Sequence, residues 1–344
     1  MKNNPFTLTF GKRPNKYINR YENTDTIIST FVSDTPVSNI FLIGGVRGSG
    51  KTVLMTTVEK ILEEYKDWII VDLNSTQDLI HDLAEKISIE TYSAESVIKS
   101  GFNVSFAGMG IGINGNRNQS DIVLIEQYLS SLVKKKKKLL ITIDEVMHNE
   151  SMKRFASEFQ IFLRKDYPVF LLMTGLYENI YSIQNDPSLT FLLRSPKIIL
   201  GSLSMNQILK MYQSVFDTDN ATILKLAELT KGYAFAFQAL GFLYYEYGEE
   251  LPFEEIISKY DDLLDDFVYK KIWESLSDND KKILLALGDS KTKVKDICEK
   301  TGIQSGTFSR YKNRLITKGL IDSSQHGYVS LTLPRFSHII QSYF

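Results

Sequence analysis

The sequence predicts an α/β domain built on a parallel sheet, then an all-helical region, then a small helical unit that closes with a β-wing. Three observations predict it. Short apolar runs alternate with amphipathic stretches as far as about residue 200. From Ser204 the periodicity is helical only, and from Ser277 three short helical patterns lead into an alternating strand. A chain of 344 residues is too long for one compact core, and these breaks divide it into residues 1–202, 203–276 and 277–344.

The strand candidates are residues 39–44, 68–73, 139–143, 169–174 and 197–200. Each is short, rich in Ile, Leu or Val, and bounded by turn residues or charges, as buried parallel strands are. Helical patterns lie between them at 51–65, 122–133 and 152–164. That alternation is the signature of an α/β layer architecture. Residues 101–115 break it: Phe102, Val104 and Phe106 alternate with polar or small residues, as do Ile111 and Ile113 after the glycines at 108 and 110. This spacing predicts an inserted β-hairpin. Beyond it, Ser204 and Gln207 have capping-box spacing, and helices are expected around 205–215, 219–230, 235–247 and 253–275.

Composition narrows the function classes. Hydrophobic residues make up 43% and charged residues 24%, the balance of a water-soluble globular chain. No window reaches the ~18 apolar residues of a membrane span, and the first residues lack a signal-peptide pattern. A cytoplasmic protein without membrane contact is expected. The only cysteine, Cys298, excludes an intrachain disulfide and a multi-cysteine zinc site; its apolar setting predicts a buried structural thiol. Net charge is −1, but residues 278–344 hold 11 Lys and Arg against 6 Asp and Glu. A basic end on an acidic body points to different partners for the two parts. The lysines from 134 to 138 read as a solvated loop at a strand entry.

Gly45, Val46, Arg47, Gly48, Ser49, Gly50, Lys51 and Thr52 match G-x-x-x-x-G-K-[ST] at every fixed position, between a predicted strand and a predicted helix that begins with Val53. The chemistry accounts for the residue types. Glycines let backbone N–H groups close around phosphate oxygens, Lys51 reaches the β- and γ-phosphates, and Thr52 offers a hydroxyl to Mg²⁺. The following helix points its positive end at the anion. This is the phosphate loop of a P-loop NTPase.

Phosphoryl transfer also needs a metal holder and a group that acts on the attacking water. The run 139–143 ends in Asp144 and Glu145. Asp144 is the candidate Mg²⁺ holder, with Thr52, and Glu145 the candidate catalytic base. The next strand ends in Thr174, which could touch the γ-phosphate or the water. Arg194, just before the last strand, is a candidate arginine finger toward a neighbouring copy in a homo-oligomer.

In this order of motifs the chain resembles the AAA+/STAND ATPases, in the archaeal-type, origin-recognition-like branch. The opening Asn4-Pro-Phe-Thr7, Phe10-Gly11, Pro14 and Ile18-Asn-Arg20-Tyr-Glu22 resembles the family's start, which leads into a G-R-E box near the adenine; here Asn19 stands in place of Gly. The resemblance implies Thr174 as sensor 1 and Arg194 as finger. Lys231-Gly-Tyr-Ala234 lies where relatives often show G-x-P, with Ala234 in place of proline and no arginine nearby as sensor 2. Residues 328–337, with Leu333-Pro-Arg-Phe336, resemble the winged-helix end of these ATPases.

The last unit supports that end independently. Ser277 and Asp280 have capping-box spacing, with Gly288 at the helix stop; a short helix at 294–300 ends in Thr301-Gly302; and residues 305–318 place Phe308, Tyr311 and Leu315 for burial. Residues 319–321 and 328–333 then form the wing. The third helix carries Arg310, Lys312, Arg314 and Lys318, candidate contacts to duplex DNA. The reading is a switch that binds ATP or ADP with Mg²⁺, hydrolyses ATP, and controls a DNA-binding winged helix. The alternative is a STAND-type signalling or assembly ATPase whose winged helix contacts protein.

Overall fold

The computed structural model describes residues 4–9, 14–98 and 117–343. The expected hairpin at 101–115 lies outside the described residues. Five parallel strands form the core sheet: β1 (Ile40–Gly44), β2 (Trp68–Leu73), β3 (Lys138–Ile143), β4 (Val169–Gly175) and β5 (Lys197–Ile199). Their order is β2-β3-β4-β1-β5. β1 and β4 are buried at every position and β3 at all but its first, which is why these read as unbroken apolar runs. β5 is an edge of three residues with Lys197 and Ile199 exposed.

Helices cover both faces of the sheet. On one lie α1 (Tyr21–Val32) and α2 (Lys51–Glu63), over an aromatic group of Phe31, Phe41, Trp68 and Phe170. On the other lie α3 (Leu79–Ile98), α4 (Arg117–Lys135), α5 (Glu150–Arg164) and α6 (Tyr177–Gln184). α5 shows why such segments are helical. Asn149 caps it by accepting from the Met152 N–H at 2.8 Å, and Met152, Phe155, Ala156, Phe159 and Phe162 line its buried face. A 3₁₀ segment (Pro187–Arg194) leads into β5.

The helical region comprises α7 (Met205–Gln213), α8 (Asn220–Leu229), α9 (Ala234–Tyr247), α10 (Phe253–Leu264) and α11 (Lys270–Glu274), the last two joined by a π-type turn. Ser204 stands at the N-cap of α7, but its side chain makes no capping bond; its carbonyl instead accepts from the Gln207 and Ile208 N–H groups. Spacing alone does not make a capping box when the hydroxyl is turned elsewhere.

The C-terminal unit holds α12 (Asp278–Ala286), β6 (Thr292–Lys293), α13 (Val294–Thr301), α14 (Ser305–Thr317), β7 (Ile321–Asp322), β8 (Tyr328–Leu331) and α15 (Phe336–Gln341). Its strands form an antiparallel sheet in the order β6-β8-β7. The Ser277–Asp280 capping box is complete, and Gly302 ends α13 in the left-handed region. α12 stops one residue earlier than expected: Leu287, not Gly288, is its C-cap and is extended. Cys298 is half-buried rather than fully buried, at the rim of the apolar cluster. The lysine run is not one loop either. Lys134 and Lys135 close α4, Lys136 turns with φ 53°, and Lys138 opens β3 with its ammonium 5.3 Å from the Trp68 ring centroid.

One apolar cluster runs through the helical region and the C-terminal unit, and it takes in Phe6 and Ile18 from the start of the chain. Tyr269 donates its hydroxyl proton to the Pro334 carbonyl at 2.6 Å, and Arg335 pairs with Asp261 across the same junction. The buried apolar residues therefore fall into two bodies: the sheet domain, and the helical region of α7–α11, termed the lid below, with its C-terminal unit.

Inside the sheet domain, Glu59 of α2 is buried beside Asp72 of β2, and its Oε1 lacks a hydrogen-bond partner among the described residues. Burial first, and the Asp72 charge second, push its carboxyl up to about 8, against the Thr142 hydroxyl. A carboxyl whose folded pKa is raised binds more protons folded than unfolded. Its contribution to stability is therefore full at low pH and lost as pH rises from the ordinary carboxyl range through about 8. Glu59→Gln, which mimics the neutral acid, should match the parent at about pH 5 and melt roughly 4 °C or more above it at about pH 8.5. Scanning calorimetry at the two pH values checks this; the same difference at both would remove the titration account.

Candidate functional site

The sheet order brings the predicted motifs together. β4 lies between β1 and β3, so Thr174 stands between the loop that follows β1 and the acids that follow β3. Ligand sites of open α/β sheets form at this carboxyl edge. The loop's Gly48 and Gly50 have φ 73° and 92°, a region that side chains with a Cβ rarely enter.

Lys51 opens α2 and is buried. Its Nζ donates to the carbonyls of Gly45 at 3.2 Å and Val46 at 2.9 Å. Burial pulls the ammonium down to about 8, with Asp144 and then Glu145 opposing the shift and Arg47 adding to it. Ser49, in the same loop, has a buried hydroxyl without a hydrogen-bond partner among the described residues. A desolvated cation, an orphaned hydroxyl and a concave backbone fit a polyphosphate. Thr52 donates to Asp144 Oδ2 at 2.7 Å, a hydroxyl–carboxylate pair of the kind that holds Mg²⁺. Among the described residues no cluster of three or more His, Cys, Asp or Glu suits a metal, so magnesium would rest on this pair and on the phosphates.

Thr174 does not point at open space. Its hydroxyl donates to Asp144 Oδ1, so both carboxylate oxygens of Asp144 are held by threonines. Glu145 follows with φ 52°, a sparsely populated conformation for a side chain of this size, and its N–H donates to Asp144 Oδ1 at 3.0 Å. The Glu145 side chain is exposed and lines a cavity of about 340 Å³ together with Gly48 to Val53. Arg194 is exposed at the end of its 3₁₀ segment and does not line this cavity.

Contacts that the motifs do not announce close the loop from outside. Tyr233 donates to the Arg47 carbonyl at 2.5 Å, and the Phe235 N–H donates to the Gly48 carbonyl at 3.0 Å. Both flank the start of α9. Arg20 donates to the Ser49 carbonyl at 3.2 Å and the Gly201 carbonyl at 2.7 Å, tying the loop to the linker between sheet and lid. One sequence signal could have found a further member: Gln238 is the one amide in the otherwise apolar first half of α9.

The four basic residues of α14 do not share one fate. Arg310 is exposed and Lys312 half-buried. Arg314 is paired with Asp280 at 2.6 Å, and Lys318 with Glu178 of α6 at 2.5 Å. Asp280 is 1% exposed, and a buried carboxylate needs its countercharge. The expectation that all four face a ligand is corrected for Arg314 and Lys318, which serve contacts within the chain.

Lys51→Ala should abolish polyphosphate binding, since it leaves the phosphate charge uncompensated in a partly dry site. The parent should take up a proton on binding above about pH 8, because the bound anion favours the ammonium form of Lys51, and its affinity should fall as pH rises further. Calorimetry in buffers of different ionisation enthalpy measures that proton. A pH-independent affinity between about 7.5 and 9.5 would contradict it.

Comparisons with known proteins agree with this geometry. Residues 266–340 match a family described as a domain of unknown function (DUF8462). A search of curated proteins finds no match. Among solved structures, the Walker-type ATPase Paby2304 of Pyrococcus abyssi superposes with a TM-score of 0.70 at 15% identity, over 98% of this chain and 99% of that one. The ORC2 protein of Aeropyrum pernix, solved with ADPNP and ADP, gives 0.61 at 13% identity, over 97% and 96%. Cdc6p of Pyrobaculum aerophilum gives 0.52 at 15% identity, over 97% and 96%. The parallel sheet, its strand order, the phosphate loop and these superpositions establish that the chain has a P-loop NTPase fold, shared with the Walker-type ATPase, ORC2 and Cdc6p structures.

Proposed function

We propose that the chain is a Mg²⁺-dependent ATPase of the switch type, whose nucleotide state sets the position of the lid and of a C-terminal winged helix that binds duplex DNA. The observation that carries the first half is the convergence of Lys51, Thr52 and Glu145 on one cavity around a desolvated ammonium, with Asp144 bonded behind them to Thr52 and Thr174. The ADPNP- and ADP-bound ORC2 structure supports the same reading.

Each residue has a role in that chemistry. Loop N–H groups and Lys51 bind the phosphates. Thr52 and Asp144 hold Mg²⁺, which neutralises charge on the phosphate oxygens, and Thr174 fixes the Asp144 carboxylate. Glu145 orients the attacking water and takes its proton. Arg194, exposed and outside its own chain's cavity, serves the site of a neighbouring copy. Glu145→Gln should keep ATP bound but slow hydrolysis by about 10² or more. Phosphate release in single turnover checks this, and hydrolysis at the parent rate would make Glu145 a structural acid.

The second half rests on the basic C-terminal unit, with α14 followed by the β7–β8 hairpin. Diffuse attraction is screened beyond ~8 Å at physiological salt, so the contacting charges must lie near the phosphates. Arg310 and Lys312 remain for that role. The double change of these two to Ala should weaken DNA binding of the full chain, reduce the salt slope of log affinity by about 0.9 for each phosphate no longer neutralised, and spare ATP hydrolysis. Arg314→Ala should act differently, lowering thermal stability by about 3 kcal/mol because Asp280 is left buried and unpaired. Absence of DNA binding by the parent at ~50 mM salt would move the reading to a signalling ATPase whose C-terminal unit contacts protein.

A further inference from the structure

Different parts of the molecule line the cavity. The phosphate loop belongs to the sheet domain. The start of the chain lines it too, through Thr7, Leu8, Pro14, Tyr17, Ile18 and Asn19. This strap is fastened to the lid. Phe6 is 2% exposed and packs among the rings of Tyr212, Phe216 and Phe237. Asn4 donates to the Phe242 carbonyl at 3.2 Å and to Glu246 at 2.7 Å, both in α9.

Between these anchors sits Gln238. It is 8% exposed, in a helix whose other buried residues are apolar or Gly241. A buried amide must find partners, and both of its ends do. Oε1 accepts from the Thr7 N–H at 3.1 Å, and Nε2 donates to the Lys16 carbonyl at 2.8 Å. The Lys16 N–H in turn donates to the Pro5 carbonyl at 3.1 Å. One side chain thus holds the strap at two points, at Thr7 and beside Tyr17, among the residues that wall the cavity. Gly241, one turn further along α9, makes room for the strap, since a Cβ there would lie 2.8 Å from the Phe6 ring.

We infer that Gln238 is the positioning residue for the nucleoside end of the site: it holds the strap so that a base and ribose bind against it, while the phosphates bind to the sheet domain. The inference rests on the nucleotide reading above and deepens it. A nucleotide then bridges the two bodies, and the energy of base binding depends on the strap remaining on the lid. Polyphosphate without a nucleoside touches only the loop end and is indifferent to Gln238.

The test uses the full chain and two probes, MgATP and magnesium tripolyphosphate, measured by calorimetry. Gln238→Ala removes two buried hydrogen bonds, and MgATP should bind about tenfold more weakly or worse, with tripolyphosphate unchanged within about twofold. Gly241→Ala is the second variant. It raises helix propensity, so it should fold, yet it displaces Phe6 and should reproduce the loss for MgATP alone. Amide exchange supplies a reading independent of affinity: in Gln238→Ala the Thr7 N–H should exchange faster, with the β1 and β4 amides still protected. Equal weakening of both probes, or an unchanged MgATP affinity, overturns the inference. A parent that binds neither probe overturns the nucleotide reading itself, a separable outcome.

Discussion

The arrangement depends on one constraint, a buried ammonium held by two backbone carbonyls. Lys51 donates to Gly45 and Val46 and, among the described residues, has no carboxylate within ion-pair distance, although Asp144 and Glu145 are near enough to oppose its shift. A cation in that state favours an anion strongly, which is what a phosphate loop requires. It also obliges the loop to keep a fixed shape. The surrounding bonds do this from three sides: Arg20 from the start of α1, Tyr233 and Phe235 from the lid, and Thr52 through Asp144 from the sheet.

Those bonds fall on the loop from both bodies of the molecule. The lid and C-terminal unit share one apolar cluster. Ties from these parts to the sheet domain are both polar and apolar. Lys318 meets Glu178, and Gly319 sits so close to Val46 that a Cβ would lie 2.5 Å from its side chain.

Local periodicity and motif spacing were enough for much of this. The apolar runs at 40–44, 139–143 and 169–174 are strands because each is buried on both faces, and no other short element tolerates that composition. The phosphate loop was legible because its glycines and lysine answer a local backbone demand. The same spacing logic failed at Ser204, where a hydroxyl and a glutamine at capping distance do not bond, and at Arg314 and Lys318, where basic residues on a helix are already paired within the chain. Partner choice over a separation of 34 or 140 residues leaves no local trace.

The sequence by itself determined the elements, the phosphate loop and the identity of the acids at the end of β3, since each follows from interactions within a few residues. Only the tertiary structure decided that Thr174 holds Asp144, that the lid reaches the loop through Tyr233 and Phe235, and that the first residues belong with the lid. The reason is physical. Gln238 meets Thr7 across 231 positions of chain, and that bond exists because burying one amide in an apolar helix forces it to find whichever backbone the fold brings within reach.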